Sequence, residues 1–416
     1  MKDELTNRVM FSGFIPPDQL DRRALREYMD CGFNLCFMTE NYYKVDSPEY
    51  FKALKLMEEM GLDACVTFYK NQTGTYHEHF KNVDLHDYPA VKFIHFIDEP
   101  WDELMQLVSD IYVPWYNEKY SDLGFFMNTY GSGYNKEGHY GSCDKLEKYE
   151  EHIDKCAKNI SAKVKGNNKF FSIDSYPLRY EPGYWVKGIE AQPYLHGLVI
   201  SSQRAKATNS KFGGCIQTFE GFNNCRYPDC VGDIRFQIFC QFAFGVKSLC
   251  FFTYKSEETV NYAYRGMITM KGRRTALYYH TRKAIAEVKT FDKEYMTYGW
   301  KGTTFVDGKV TNENEVAFKQ AREQFGMNYS DDNVSAVSAE HDILLGCFEK
   351  EGGKCAYVIT TYSEPSKEIE NKISITFKKG QSLRINHNGV WMEETLIDGK
   401  FTLTVNNGDG LFIVLE

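Results

Sequence analysis

Short apolar runs alternate with helix-like stretches eight times in the first ~300 residues, and this alternation limits the fold more than any other feature of the chain. In the first unit the run 9–15 ends at two prolines, and the segment 18–29 then has apolar residues at helical spacing. Seven further runs follow with helix-like segments after them, at 33–38, 63–69, 92–98, 124–130, 169–174, 214–219 and 247–254. Eight strands alternating with helices predict a closed parallel barrel of the (β/α)8 type.

An open, doubly wound sheet would produce the same alternation of strands and helices. Sheets of that kind that bind nucleotides carry Gly-x-Gly-x-x-Gly or Gly-x-x-x-x-Gly-Lys-Ser/Thr after a strand. Neither motif follows a predicted strand in this chain. The barrel is therefore favoured, and no cofactor is expected.

After about residue 298 the pattern changes to short alternating runs with turn residues between them. These runs are 315–319, 343–348, 356–361, 373–377, 401–405 and 411–415. Such a series is typical of an antiparallel β-sandwich, and the polar segment 320–340 is predicted as an exposed excursion. We therefore expect a barrel domain over residues 1–298 and a β-sandwich domain over 299–416.

Charge and composition exclude several classes of partner. The net charge of −8 and the lack of a basic run leave no surface for the phosphates of nucleic acid. No apolar run approaches the ~18 residues needed to cross a membrane, and the first residues do not resemble a secretory signal. The 12 cysteines are scattered, many within apolar runs, which favours reduced thiols. The expected location is the cytoplasm.

Two glutamates, Glu99 and Glu220, follow the fourth and seventh predicted strands. The βα loops of a (β/α)8 barrel build the site at the carboxyl ends of the strands. Glu99 shares the alternation of Phe93 and His95, and Glu220 shares that of Ile216, so both carboxyl groups are expected at the barrel mouth. Two carboxyl groups across the mouth are suited to flank a glycosidic bond, one protonating the leaving oxygen and the other attacking the anomeric carbon.

The residues around both glutamates resemble clan A of the glycoside hydrolases, the TIM-barrel group that includes many β-galactosidases and β-glucosidases. In that clan the acid/base glutamate ends strand four, commonly in Asn-Glu-Pro, and the nucleophile glutamate ends strand seven. Ile97-Asp98-Glu99-Pro100 matches the first element with Asp98 in place of asparagine, and Gln217-Thr-Phe-Glu220 matches the second. The resemblance implies a retaining glycosidase for β-linked substrates, with Glu99 as acid/base and Glu220 as nucleophile.

Other residues near the strand ends are expected to bind the sugar, through hydrogen bonds from polar groups and stacking of aromatic rings. In the clan the asparagine before the acid/base glutamate contacts the sugar 2-hydroxyl, so the aspartate at that position changes the contact. The candidate substrate-binding residues are Asp98, Trp101, Asn128, Tyr130, Asp174, Tyr176, Trp185, Phe222 and Tyr254.

The sequence leaves two other interpretations open. One is an inverting or substrate-assisted glycosidase in which Asp174 or Asp98 takes a catalytic role. The other is a non-catalytic carbohydrate-binding barrel. A metal-dependent hydrolase is disfavoured, because no His-x-His ends strand one and the spacing of Cys225 and Cys230 does not fit a zinc site. A carbohydrate is the expected ligand in both interpretations, and the oligomeric state is not predicted.

Overall fold

A computed structural model describes most of the chain. The described residues are 7–17, 19–38, 47–67, 83–131, 146–180, 187–189, 192–221, 224–258, 263–310, 318–319, 322–323 and 330–416. The predicted sugar contacts Trp185 and Phe222 lie outside these ranges. No helix in the described ranges has the length and apolar character that a membrane span requires.

The strands of the first 300 residues include the eight that the alternation predicts. They are β1 (Met10–Gly13), β2 (Leu35–Met38), β3 (Asp63–Thr67), β4 (Val91–Asp98), β5 (Gly124–Tyr130), β6 (Lys169–Asp174), β7 (Leu178–Tyr180), β8 (Lys187–Ile189), β9 (Lys211–Gln217), β10 (Val246–Phe252), β11 (Glu257–Glu258) and β12 (Ala263–Tyr264). Eight of them close into a barrel in the order β1-β10-β9-β6-β5-β4-β3-β2. The remaining four form two short hairpins, β7–β8 and β11–β12, after β6 and β10. The prediction of a (β/α)8 barrel is confirmed.

Helices follow the barrel strands and cover the outside of the barrel. They are α1 (Arg22–Asp30), α2 (Pro48–Met60), α3 (Asp102–Leu107), α4 (Val113–Lys119), α5 (Leu146–Asn159), α6 (Gln192–Ala207), α7 (Val231–Ala243), α8 (Ala276–Val288) and α9 (Asp292–Met296). A π-helical turn, Val108–Tyr112, joins α3 to α4, and the short 3₁₀ helices are Leu85–Asp87 and Ser161–Lys163.

Helix α2 shows how local sequence sets these boundaries. The Ser47 hydroxyl accepts a hydrogen bond from the Tyr50 backbone N–H at 3.1 Å, and Pro48 occupies the first turn, where no N–H is needed. Gly61 ends the helix with a left-handed backbone, at φ 71°. The helix therefore begins and ends where the sequence predicts.

The barrel interior is filled by side chains. Phe93, Phe126 and Phe170 pack there. The centroid of the Phe170 ring lies 5.8 Å from that of Phe93 and 5.6 Å from that of Phe126. A Cβ on Gly124 would lie 2.0 Å from the Phe93 ring, so only glycine fits at the start of β5. The barrel is thus a packed core whose open end lies at the carboxyl ends of the strands.

The C-terminal region is a two-sheet β structure, which confirms the predicted β-sandwich. Its strands are β13 (Gly299–Val306), β14 (Val334–Ala339), β15 (Ile343–Lys350), β16 (Lys354–Thr361), β17 (Glu370–Phe377), β18 (Ser382–His387), β19 (Val390–Thr395), β20 (Lys400–Asn406) and β21 (Gly410–Leu415). A six-stranded sheet, β13-β15-β16-β21-β18-β19, packs on a three-stranded sheet, β14-β17-β20, through a shared apolar core.

Two details of this region differ from the sequence prediction. Strand β14 lies inside the segment predicted as an exposed excursion, where it pairs with β17. The predicted strand 315–319 falls mostly outside the described residues, and its described residues, Phe318 and Lys319, are not in a strand. Helix α7 of the barrel packs against β15 and β16, so the sandwich is attached to one side of the barrel.

Candidate active site at the barrel mouth

A narrow pocket opens at the carboxyl ends of the barrel strands. Its lining residues are Phe14, Phe37, His95, Asp98, Phe126, Asn128, Asp174, Tyr176, Cys215, Cys250 and Phe252. About 40 Å³ of it is open to water, which is room for one or two water molecules or one polar substituent of a ligand. A larger ligand would therefore have to extend beyond the pocket towards the βα loops.

A β-bulge in β4 decides which of its side chains reach the pocket. The pairing of β4 with β5 shifts register between His95 and Ile97. As a result Phe96 and Ile97 both join the outer core between barrel and helices, and Asp98 lines the pocket. The regular alternation predicted from His95 to Glu99 is therefore wrong beyond the bulge. The pocket position that alternation gave to Glu99 is occupied by Asp98.

Glu99 follows directly at the end of β4 with an unusual backbone. Its φ is 45°, in the left-handed region, and its N–H donates to the Asn128 carbonyl at 3.0 Å. A non-glycine residue in that region costs about 1–3 kcal/mol, and such residues cluster at functional sites. The bulge and this conformation place two acidic residues in succession at the mouth.

Strand β9 also alternates differently from the prediction. Cys215 lines the pocket and Ile216 packs in the outer core. The side chains predicted to face the barrel interior, counted from Ile216, are therefore shifted by one residue along the strand. Glu220 lies three residues beyond the end of β9, where it forms a backbone bridge with Arg265. An Arg265 Nη1 to Glu220 Oε2 distance of 3.5 Å adds an ion pair, and the Glu220 side chain is 34% exposed. The βα loop, rather than the strand, thus positions Glu220.

Asp98 and Asn128 are joined inside the pocket. The Asn128 Nδ2 donates to Asp98 Oδ1 at 2.9 Å, which leaves the Asn128 Oδ1 buried and without a hydrogen-bond partner among the described residues. Asp98 and Asn128, which were both predicted to contact the sugar, therefore line the same wall of the pocket. The Asn128 amide is oriented so that its oxygen can accept a hydrogen bond from a ligand.

Asp174 ends β6, which is separated from β4 by β5 alone. Burial and the charge of Asp98 raise the pKa of its carboxyl to about 7, against the opposing effect of a hydrogen bond with the Tyr176 hydroxyl. The Tyr176 ring packs against Phe219 with centroids 4.9 Å apart. Asp174 therefore binds and releases a proton near neutral pH, which suits a general acid or base.

His95 lines the deeper part of the pocket. Burial lowers the pKa of its imidazole, an effect that the Asp98 charge only partly offsets, so the ring is neutral at pH 7. It packs edge-on against Phe37 with centroids 5.5 Å apart. Neither ring nitrogen has a hydrogen-bond partner in the described part of the chain. A neutral imidazole can donate one hydrogen bond and accept one, and both remain to be made.

Unpartnered polar atoms are the most informative property of this pocket. Within the described ranges the buried atoms that lack a hydrogen-bond partner include His95 Nδ1 and Nε2 and Asn128 Oδ1, whereas the Asp174 carboxyl and the Tyr176 hydroxyl interact with each other. Buried polar atoms are rarely left unpaired in folded proteins, and clusters of them need a ligand or water to satisfy them. Such a cluster at the catalytic end of a barrel is suited to a hydroxyl-rich ligand.

Three predicted sugar contacts do not line the pocket. Tyr130 packs in the outer core and stacks on His152 with centroids 4.5 Å apart. Tyr254 is buried in the same core, 5.0 Å from the Tyr28 ring. Trp101 packs against the outside of this core. Each of them lies at or just after the end of a barrel strand, but its ring packs away from the mouth.

Several pocket residues were missed by the sequence analysis. They are Phe14, Phe37, His95, Phe126, Cys215, Cys250 and Phe252. All lie in or next to apolar runs that are buried on both faces, so nothing in their pattern separates the inward side from the outward side. The ring of Phe14 lies 5.8 Å from that of Phe252, and these rings form an apolar wall opposite the carboxyl groups.

One group of possible metal ligands occurs among the described residues, and it lies outside the pocket lining. It consists of Asp229, Cys230 and Asp233. Both oxygens of Asp233 already accept hydrogen bonds from the Arg226 guanidinium, at 2.6 and 2.9 Å. The carboxylate that would be central to this group thus belongs to a buried ion pair.

The fold and the site together define a (β/α)8 barrel with a β-sandwich and an acidic, polar pocket at the carboxyl face. No family model and no curated protein matches the chain. Among solved structures it is similar to the β-galactosidase from Bacillus circulans sp. alkalophilus, with a TM-score of 0.54, 8% identity and 100% of each chain covered.

Two further structures are similar at lower scores. The β-galactosidase from the psychrophilic Marinomonas ef1 has a TM-score of 0.46 and 11% identity over 76% of this chain, which spans 65% of that enzyme. The GH30 endoxylanase from Clostridium papyrosolvens C71 has a TM-score of 0.39 and 9% identity, with 98% and 96% of the two chains covered. At 8% identity, the similarity to the first of the three structures concerns the fold alone.

Proposed function

We propose that this protein is a glycoside hydrolase. The observation that carries the proposal is the pocket at the carboxyl end of the barrel, where Asp98 and Asp174 face a cluster of polar atoms without partners. In essentially every characterised barrel enzyme of this type the active site lies at that end. The similar structure with a TM-score of 0.54 is a β-galactosidase, which agrees with a carbohydrate substrate.

The first assignment of roles makes Glu99 the acid/base and Glu220 the nucleophile of a retaining enzyme for β-linked substrates. The ion pair between Glu220 and Arg265 supports it, because a nucleophilic carboxylate must be ionised. The strained backbone of Glu99 at the barrel mouth supports the other role. A retaining mechanism further requires the two carboxyl groups to lie about 5–5.5 Å apart when the substrate is bound.

The second assignment makes Asp174 and Asp98 the catalytic pair. Both line the pocket, and a pKa of about 7 lets Asp174 donate a proton at neutral pH. An aspartate pair of this kind fits an inverting or substrate-assisted reaction, in which the carboxyl groups do not form a glycosyl ester. The two assignments predict products of opposite anomeric configuration if the second is inverting.

The deciding experiment compares the wild type with Glu99→Ala, Glu220→Ala, Asp98→Asn and Asp174→Asn on a panel of aryl β- and α-glycosides. Glu118→Ala, on the exposed face of α4, is the matched control. The first assignment predicts retention, a β-glycosyl azide from Glu99→Ala in azide, and an α-glycosyl azide from Glu220→Ala.

Other outcomes would change the assignment. Inversion with full activity in both glutamate variants, and loss of activity in the aspartate variants, would transfer the roles to Asp98 and Asp174. Saturable sugar binding with no turnover by any protein would instead indicate a carbohydrate-binding barrel, and an absence of both would reject the proposed function.

A further inference from the structure

A groove lined by arginines lies beside the barrel mouth. It has a volume of about 800 Å³ and runs between α1 and the segment that leads into α8. Its lining consists of five arginines, two carboxylates and a tyrosine: Arg22, Arg23, Arg26, Arg273, Arg274, Glu27, Asp30 and Tyr279. Since α1 follows β1 and α8 follows β10, the N-terminal ends of both helices lie at the carboxyl face of the barrel. The groove and the pocket thus open at the same end of the molecule but share no lining residue.

The three arginines of α1 lie at positions that the helix dipole and mutual repulsion disfavour. Arg22 and Arg23 occupy the first turn of α1, where the helix dipole disfavours positive charge. Arg26 is four residues from Arg22 and three from Arg23, and like charges at these spacings repel by a few tenths of a kcal/mol per pair. The whole chain has a net charge of −8, so this patch contrasts with the rest of the molecule. A binding role accounts for positions that folding alone disfavours.

Two of the five guanidinium groups are held by carboxylates. Arg22 pairs with Glu59 at 2.5 Å, and Arg274 pairs with Glu27 at 2.5 Å while lying over the Tyr278 ring. The other three have no carboxylate partner within the described ranges: Arg23, Arg26 and Arg273. All three side chains are exposed. In this groove two guanidinium groups are thus held in place by carboxylates, and three are available to bind a ligand.

We propose that this groove is a binding site for a phosphate or sulfate group. The planar guanidinium donates parallel hydrogen bonds that match tetrahedral oxyanions, and several of them converging on one space are typical of phosphate recognition. The groove has room for more than one such ion, so it fits the anionic group of an esterified ligand as well as the free ion. The proposal is independent of the glycosidase proposal because the two sites use different residues.

The test is calorimetric titration of the intact protein with inorganic phosphate, inorganic sulfate, glucose 6-phosphate and glucose, all at one ionic strength. The variants are Arg23→Gln/Arg26→Gln and Arg273→Gln. Arg282→Gln, exposed on α8 outside the groove lining, is the matched control. We expect saturable binding of the anions to the wild type and the control, and about tenfold weaker binding to each groove variant, which is the loss of one charged hydrogen bond or more.

The two sources of the anion are separated by the same titrations. Tighter binding of glucose 6-phosphate than of inorganic phosphate would identify an esterified ligand, and equal binding would identify the free ion. Non-saturable uptake, or equal affinity in the groove variants and the control, would show only an ion atmosphere and would overturn the proposal.

A stability measurement separates binding from folding. Repulsion among these arginines is offset by the carboxylates of Glu27 and Asp30, each four residues after an arginine. The unliganded Arg23→Gln/Arg26→Gln protein is therefore expected to unfold at about the same temperature as the wild type, and to lose the stabilisation by phosphate. A lower unfolding temperature in the double variant would mean that these arginines serve the fold, and this too would overturn the proposal.

Discussion

Arg226 and Glu364 connect the barrel to the β-sandwich through an ion pair in which both side chains are fully buried, with 2.6 Å between Arg226 Nη2 and Glu364 Oε1. Asp233, at the start of α7, completes the group at 2.6 Å from the same nitrogen. The Arg226 carbonyl accepts a hydrogen bond from Gln217 Nε2 at 2.8 Å. The sandwich therefore holds the loop after β9, the same loop that carries Glu220.

Removing the charge of the sandwich partner in this group should destabilise the protein moderately. Glu364→Gln leaves Arg226 paired with Asp233 but weakens one buried charged hydrogen bond, which costs about 1–3 kcal/mol. The free energy of unfolding, measured with urea, is expected to fall by that amount, whereas the exposed control Glu368→Gln should change it by less than about 0.5 kcal/mol. A loss below 1 kcal/mol in Glu364→Gln would show that the group does not brace the loop.

Asp174 should make stability depend on pH. The pKa of its carboxyl is raised to about 7 by burial and by the Asp98 charge, whereas an unfolded aspartate titrates at about 4. Between these values the folded protein holds one more proton than the unfolded chain. This stabilising contribution is therefore complete below about pH 4 and is lost as the pH rises through about 7.

The effect can be measured by urea unfolding of wild type and Asp174→Asn across that pH range. Relative to the variant, the wild type should lose up to about 4 kcal/mol between pH 4 and 7. Asp332→Asn, an exposed substitution of the same type, should follow the wild type at every pH. Parallel curves for wild type and Asp174→Asn would contradict the raised pKa.

The charge of Asp98 offers a way to shift that titration. Asp98→Asn keeps the shape of the side chain but removes a negative charge from the pocket that Asp174 also lines. Without that charge the pKa of Asp174 should fall below about 7, and the pH dependence of stability should move to lower pH. Carbon-13 NMR of labelled aspartate carboxyls measures this directly, and an unchanged titration would mean that the two groups do not interact.

Arg265 should affect activity more than stability. Its side chain is 65% exposed, so its ion pair with Glu220 contributes less than about 1 kcal/mol to folding. If Glu220 is the nucleophile, Arg265→Ala should lower kcat by about tenfold, because the carboxylate loses the contact that positions it. Lys271→Ala, exposed before α8, is the control. Equal kcat in the two variants would argue against a positioning role for Arg265.

The sequence predicted the architecture well because strands, helices and caps have local signals. Ser47 and Pro48 mark the start of α2, and β5 and β6 begin and end at the predicted residues. Which side chains of each strand face the barrel interior was harder to predict. The bulge in β4 has no glycine or proline to mark it, and the apolar run in β9 is buried on both faces, so neither strand shows which side faces the pocket.

The positions of the aromatic rings at the strand ends were also not set by local pattern. Tyr130 and Tyr254 follow their strands at suitable positions, but the packing of α5, α1 and the neighbouring strands draws their rings into the outer core. Strand β14 was missed because its residues, Val334–Ala339, alternate too weakly in polarity to be separated from a loop. Tertiary contacts, not local pattern, decide these positions.

Because the sandwich is attached to one side of the barrel, the two sides of the barrel mouth differ in how readily their residues can be substituted. On the side of α7 and α8, Arg235 links Glu287 to Asp409 of the sandwich, so the loops there are tied to a second domain. In the described part of the chain, β2 to β5 have no comparable contacts with the sandwich. Substitutions of the pocket residues on those strands should therefore change which ligands bind while leaving the contacts with the sandwich intact.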